Sequence, residues 1–463
     1  MKVIIVIKRG IGMKLEKFKE KNNKKTGIII FTVCCVLLIA GVYLYSSFAI
    51  YEQNQNFNVI NGTVEDPGDL YFAFYVDDVI SKTMPSKDSG YTLDTEKSTC
   101  TNGATPLLNM DDWSLEVQNL TTTHTKCTLY FKESTPYDEC VSKYGEDSVQ
   151  CSIIADVDTE GCPTVNADGT VQVTGAEDTN GYLCSAPDDY GTSYYYRGNV
   201  TNNYVKFGKN EQGQDMYWRI IRINGDGSIR LIYDGTSAHA NGEDSADRQI
   251  GTSAYNSSSN DNAYVGYMYG TPGSTTYDAT HANTNDSTIK TYLDNWYKIN
   301  IEDKGLSSYI SDTLFCNDRS FGSSNSGTGT GTSYTQYHWY TSSNGIRLTC
   351  PNQNDRFTVD DEVTGNGDLT YAIGLVNTDE VYLAGGYNTS NSGYYLYTGN
   401  RYWTMSPGVF NDGSAYVRSV DSVGIGSYSD YVYSLVGVRP TLNLIPDSLK
   451  VGSGTADDPY RIG

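Results

Sequence analysis

Four histidines, His124, His239, His281 and His338, are the side chains best matched to proton transfer near neutral pH. None belongs to an H-E-x-x-H helix, and neither a G-x-S-x-G elbow nor a P-loop occurs anywhere in the chain. Each histidine stands among polar residues and reads as a loop or surface position. Asp234, Ser237 and His239 are the residue types of a hydrolytic triad. A triad is defined by geometry in space, so sequence proximity alone makes no nucleophile. No catalytic residue is predicted, and the chain is read as a non-enzyme. Oxygen ligands for calcium cluster in Asn224-Gly225-Asp226-Gly227 and in Asp360-Asp361-Glu362 with Asn366 and Asp368. Neither has EF-hand spacing. Turn chemistry accounts for the first and a solvated acidic loop for the second, so no cofactor or metal is assigned.

The strongest chemical signal is aromatic. The chain has 40 tyrosines, densest at Tyr194-Tyr195-Tyr196, at Tyr394-Tyr395 with Tyr397, and at Tyr402-Trp403. A tyrosine offers a large contact area at low entropic cost, with a hydroxyl at its tip. Tyr394, Tyr395, Tyr402 and Trp403 are therefore the candidate ligand-binding residues, for a glycan or a protein. The alternative is that these rings line the inside of sheets, with Trp403 in the core.

Cysteines bound the compartment. Cys34 and Cys35 lie in an apolar run and act as filling there. Eight others follow: Cys100, Cys127, Cys140, Cys151, Cys162, Cys184, Cys316 and Cys350. An even count without any C-x-x-C pair points to disulfides rather than to a zinc ribbon or a redox motif. Cys100 and Cys127 are alone in their region, and Cys316 and Cys350 bracket a Gly/Ser/Thr loop. Among the middle four, three pairings are open, with nearest neighbours Cys140–Cys151 and Cys162–Cys184 preferred.

The N-terminal elements would position all of this outside a cell. Residues 1–26 carry nine basic and two acidic residues, and no charge occurs between Lys25 and Glu52. At ~1.5 Å per residue, the apolar stretch from Gly27 to Tyr45 spans about 28 Å as a helix, the thickness of a bilayer core. The expectation is a signal anchor at 27–50 that holds the protein in the plasma membrane as a single pass, N-terminus cytoplasmic and the rest extracellular. Cleavage after Ser47-Phe48-Ala49 is the alternative. Of the chain's 33 basic and 55 acidic residues, 9 and 2 lie in the head, leaving a net charge of −29 beyond it. Such a surface repels phosphate, so nucleic acid is excluded as a partner.

Beyond the apolar run the sequence divides into a spacer (51–66), a small disulfide-stapled β module (67–133), a cysteine-bearing connector (134–190) and a main domain (191–463). Leu70–Val76 and Lys126–Phe131 read as strands of a β-sandwich-like module around Trp113. Val165–Val171 reads as a hairpin turning at Asp168-Gly169. In the main domain, Trp218–Ile223 and Ser228–Tyr233 flank Asn224-Gly225-Asp226-Gly227 as a second hairpin. Asp286–Ile301 has helical spacing with Asp286 or Ser287 as cap, Leu306–Thr313 forms a second short helix, and Ala415–Val420 is a strand.

Trp218…Ile223, Phe315-Cys316-Asn317-Asp318-Arg319-Ser320, Ile373-Gly374-Leu375, Tyr402-Trp403-x-x-Ser406-Pro407 and Gly437-Val438-Arg439-Pro440 together resemble a family of exported bacterial domains of unknown function. These occur on surface proteins of gut anaerobes. Phe72–Phe131 resembles a module that precedes them. Trp403–Ser406 and Gly437–Arg439 also resemble closing strands of the C-type-lectin-like fold in the version used by formylglycine-generating enzymes. The resemblance implies an α+β domain with long loops and a variable ligand face, and no activity by itself. The calcium tripeptides of sugar-binding lectins are absent, and the two cysteines that bind copper in the enzymes have only Cys316 and Cys350 to stand for them. The expected function is non-catalytic recognition at a bacterial surface. The alternatives are a structural envelope protein without a discrete ligand and an enzyme related to the formylglycine-generating fold.

Overall fold

Alternating apolar residues and Gly/Asn/Asp turns dominate the chain after residue 70, and they fold as strands. The computed structural model describes residues 70–87, 89–110, 112–120, 124–158, 160–173, 180–322, 326–330, 334–337 and 345–463. The architecture is mostly β, which corrects the α+β expectation. Among the described residues the longest α-helix has ten residues, and Leu306–Thr313 supplies only the single 3-10 turn Ser307–Tyr309. The helical stripes are too short to form a layer against the sheets. The membrane-anchored localisation is corrected as well: no helix among the described residues is long and apolar enough to cross a bilayer. The predicted span at 27–50, the basic head at 1–26 and the spacer at 51–66 lie outside the described residues.

Proximity divides the chain into two compact units. Among the described residues, one comprises 70–73, Thr95–Leu108 and Ser114–Leu129. Here Thr99–Cys100 pairs with Cys127–Thr128 and the Cys100–Cys127 disulfide ties the two. The other comprises Phe74–Asp94, Asn109–Trp113 and Tyr130–Gly463. In it Phe74–Val76 folds back on Val79–Ser81, through Asp77 and Asp78 at φ 49° and 63°. Trp113 is only half-buried and its Nε1 donates to the Pro85 carbonyl at 2.7 Å, so it pins a turn instead of anchoring a core.

The rest of the second unit is built on two sheets. Thr135 opens helix α1 (Pro136–Tyr144) with a capping box to Asp138, and Ser148 caps α2 (Val149–Ala155). Disulfides Cys140–Cys151 and Cys162–Cys184 join the nearest neighbours. The strands that follow are β1 (Gly181–Asp188), β2 (Gly191–Gly198), β3 (Tyr204–Lys209), β4 (Asp215–Ile223) and β5 (Ile229–Gly235). Then come helices α3 (Thr288–Tyr297) and α4 (Thr378–Leu383). Seven strands close the chain: β6 (Tyr402–Asn411), β7 (Ser414–Val420), β8 (Tyr428–Tyr431), β9 (Val436–Gly437), β10 (Thr441–Leu444), β11 (Leu449–Val451) and β12 (Tyr460–Ile462).

The larger sheet runs β1-β2-β4-β3-β12-β11, with β5 joining β4 to β10. Cys140, Cys151, Ile153 and Ile154 from the predicted connector pack into the same core as this sheet. The second sheet runs Thr252–Ser253, β9, β6, β7, β8, with Thr335–Gln336 along β6. Trp218 centres the first sheet's packing. Its ring meets Tyr233 edge-on at 5.5 Å and Trp296 at 6.1 Å, and its Nε1 donates to the Phe207 carbonyl at 2.9 Å. Of the two caps considered for α3, Ser287 is the one used, accepting from the Lys290 amide.

Arginines are part of this core. Asp234, without exposure, receives Arg248 at 2.8 Å and Arg439 at 2.7 Å, with Arg219 at 3.9 Å. The guanidiniums are also satisfied locally. Arg219 donates to the Val200 carbonyl and Asn203 and lies 3.8 Å over the Tyr204 ring. Arg439 donates to the carbonyls of Tyr233 and Leu396 and lies over Tyr402. Glu380 bridges Arg222 (3.2 Å) and Arg230 (2.5 Å). Burial raises the Glu380 carboxyl, but the charges of Arg230 and Arg222 outweigh it and hold the group below its ordinary pKa. Arg319 pairs with Asp355 at 2.6 Å. Arginines 219, 319 and 439 of the motif segments are thus buried charges that lock distant segments together.

Candidate functional site

The site begins with strand register. β7 pairs with β8 so that Tyr416 faces Tyr431 and Arg418 faces Ser429. Residues two apart on a strand share a face, so half-buried Tyr416 and Arg418, itself buried, lie on the face opposite Ala415 and Val417, which have no exposure. At the end of the partner strand Tyr431 is 41% exposed, and in the turn beyond it Val432 is buried and Tyr433 is 51% exposed. The three rings form a file. Tyr416 and Tyr431 have centroids 4.3 Å apart, and Tyr431 stacks on Tyr433 at 5.1 Å. Burial, then a hydrogen bond with Tyr431, raises the Tyr416 phenol above its ordinary pKa. Leu435, two residues beyond Tyr433, is 74% exposed.

Arg418 leads from this file into a narrow cleft whose interior has room for about one water-sized group. Asn377 caps α4 through a capping box with Glu380, which presents Thr378 and Asp379 at the rim. Ser406 accepts the Thr378 amide at 2.9 Å. Arg418 donates to the Ser427 carbonyl at 2.8 Å and to Ser429 Oγ at 3.0 Å. Asp318, Arg347 and Cys316 complete the wall. The cleft thus mixes guanidinium donors, carboxylate acceptors and hydroxyls that do both. Such a set matches a ligand dense in hydroxyl groups, and the tyrosine file offers apolar faces alongside.

No protein-family model matches this chain, and no curated protein or solved structure matches it either. The site therefore stands on its own geometry.

The residues singled out from sequence lie elsewhere. Tyr394, Tyr395, Tyr402 and Trp403 have no exposure. Tyr402 Oη donates to the Leu396 carbonyl and Trp403 Nε1 to the Ser253 carbonyl. They are core residues, which corrects their reading as ligand contacts. The even spacing Tyr416-x-Arg418 and Tyr431-x-Tyr433 was the available signal for the exposed face. It gains meaning only from the cross-strand register.

Asp234, Ser237 and His239 do not form a triad. Asp234 is spent on the arginines. His239 Nδ1 contacts Glu243 at 2.9 Å, while Nε2 meets both Asp247, at 2.9 Å, and Ser237, at 3.4 Å. A ring held by two carboxylates favours the imidazolium, which is no base. Burial lowers its pKa, but the hydrogen bonds it donates to Glu243 and Asp247 outweigh that and raise it. His281 is the opposite case. It is fully buried against Tyr277 and near Tyr337, and only Nε2 is bonded, to the Gly327 carbonyl at 3.0 Å. Burial, then the Arg319 charge, pushes it down to about 3. His124 is exposed in a turn at φ 70°, and His338 lies outside the described residues.

A pH dependence follows. A raised histidine stabilises the fold below the unfolded pKa, near 6.5, and that contribution fades as pH rises through its folded value; this is His239. A depressed histidine costs stability as pH falls below 6.5, because the unfolded chain takes the proton first; this is His281. At pH 5 its cost is about 2 kcal/mol relative to pH 7.5. His281→Asn keeps a donor toward Gly327 and removes the titration. Urea midpoints measured from pH 7.5 to 5 should fall less steeply for this variant than for the parent; equal slopes would refute the assignment.

Cys316 and Cys350 are bridged. Neither sulfur is then a thiolate, the form that binds copper. Among the described residues no group of three or more His, Cys, Asp or Glu side chains is arranged to hold a metal ion. Asp226 is occupied in its turn by Ser228 and Thr313, and Asp361 accepts the amides of Val363 and Thr364.

Proposed function

We propose that the main domain is a non-catalytic recognition module whose ligand is a glycan, bound along the face of β7 and β8. The observation that carries this reading is the file Tyr416–Tyr431–Tyr433, exposed on an edge of the sheet and continuous through Arg418 with a cleft of mixed donors and acceptors. Exposed stacked aromatics that pack on no core are unfavourable in water unless a partner covers them. Sugar rings suit such a surface, with C–H faces for the tyrosines and hydroxyls for Asp318, Asp379, Ser406 and the arginines. The four disulfides agree with a protein that works in an oxidising, extracellular setting. The resemblance to exported bacterial surface domains points the same way.

The test is a glycan array followed by titration of any hit. Each exposed ring contributes about 1 kcal/mol of stacking, so Tyr431→Ala with Tyr433→Ala should weaken binding by roughly 30-fold. Thermal stability should move little, because both rings are at the surface. An array without hits, or a hit that the double variant binds equally well, would remove this reading.

A further inference from the structure

A second surface breaks the charge rule of the chain. The parallel pairing of β3 with β12 sets Lys206 directly beside Arg461. Like charges on neighbouring strand positions cost stability. In a protein with 55 acidic and 33 basic residues, such a pair gathers positive charge against the overall balance of the chain, and a local rule broken in this way marks functional positions. Lys206 and Lys209 also share one counter-ion. Asp215 meets the first at 2.7 Å and the second at 2.6 Å. Lys304 forms no ion pair among the described residues, and its acidic neighbours Glu302 and Asp303 are bonded to Lys298.

These four cations line a single open groove of about 850 Å³, counting its mouth, with Asp215 as the one carboxylate in its wall. Gly208, Leu306 and Ile462 form an apolar floor. Gly208 sits at φ 78°, and a Cβ there would strike Met216 and Leu306, so the floor is shaped by the glycine. Arg461 leans on Asp458 at the exposed rim, at 3.1 Å.

We propose that this groove binds an acidic polysaccharide, one bearing carboxylate or sulfate groups along its chain. Three of the cations are lysines, which act as point charges and follow a charged polymer without demanding one planar group. The apolar floor suits the C–H faces of sugar rings. The acidic remainder of the molecule does not forbid this. At physiological ionic strength charges more than about 8 Å away are screened, while contacts inside the groove are not. The site belongs to the first sheet and is independent of the tyrosine file.

The experiment titrates the full chain with a heparin-derived oligosaccharide, an oligogalacturonate, a neutral cello-oligosaccharide and a single-stranded DNA of similar charge, at low and at physiological salt. The variants are Lys206→Gln/Lys209→Gln/Lys304→Gln and, as a control at an exposed lysine outside the groove, Lys298→Gln. At least one acidic oligosaccharide should bind, the neutral one should not, and binding should weaken with salt. The triple variant should bind about tenfold or more weakly and lose up to about three units of the log–log salt slope, whereas Lys298→Gln should bind as the parent does. The proposal is overturned if neither acidic oligosaccharide binds. Equal binding by the triple variant would also overturn it, since that places binding elsewhere, such as the basic N-terminal head. DNA binding as tight as the glycans would overturn it too, as it reports a generic polyanion.

Discussion

Replacing Asp234 with asparagine is expected to destabilise the fold by about 3–5 kcal/mol, the cost of breaking a buried ion pair by removing one partner. The side chain keeps its size and one carbonyl oxygen, so packing is nearly unchanged. What disappears is the negative charge at the centre of Arg219, Arg248 and Arg439, all without solvent exposure. Hydrogen bonds to backbone carbonyls and the rings of Tyr204 and Tyr402 solvate these guanidiniums in part. They do not neutralise them. A native fold typically holds 5–15 kcal/mol, so the variant is placed near the edge of stability. Urea unfolding with tryptophan fluorescence reads the effect directly. A loss under about 1 kcal/mol would mean that carbonyls and rings suffice and that Asp234 is replaceable. Adding Arg439→Met to the asparagine variant should recover part of the loss, because it removes one of the stranded charges.

Trp403→Ala should cost a similar amount, about 3–5 kcal/mol, from lost burial and the cavity left behind. The ring packs edge-on against Tyr255 at 5.6 Å, and its Nε1 satisfies the Ser253 carbonyl at 2.8 Å. Truncation therefore also leaves a buried acceptor unpaired, which adds to the cost. The contrast with Tyr431→Ala is diagnostic. The tryptophan variant should lose stability, and the surface variant should lose binding while keeping its melting temperature. A Trp403→Ala protein that melts like the parent yet fails to bind its glycan would return Trp403 to the ligand face and contradict its burial.

These two residues also show how far the sequence could be read. The hairpin of β4 and β5 was legible, because two apolar runs flank Asn-Gly-Asp-Gly and the turn chemistry is local. The disulfides were legible because nearest neighbours close short loops. Helix α3 was legible from its spacing and the Ser287 cap. Tyr394, Tyr395, Tyr402 and Trp403 were misread because tyrosine and tryptophan suit a wet surface and a polar core equally. Which they meet depended on Arg219 lying over Tyr395 and Arg439 over Tyr402, contacts between segments far apart in sequence. The tyrosine file was hidden for a related reason. Tyr416 and Tyr431 become neighbours only through the turn that sets the register of β7 against β8. The helical content was overestimated because Leu306–Thr313 has an apolar pattern too short to hold more than one turn.

The parallel seam between Val205 and Tyr460 bears on how the molecule is made. A polypeptide emerges N-terminus first, and β3 must wait for a partner on the order of 250 residues later, a separation that slows folding. Until Tyr460 has emerged, the inner strand has a bare flank open to promiscuous pairing. Closure of this seam therefore waits for Tyr460, and ribosome stalling or premature termination upstream of it would release a sticky intermediate rather than a smaller working protein.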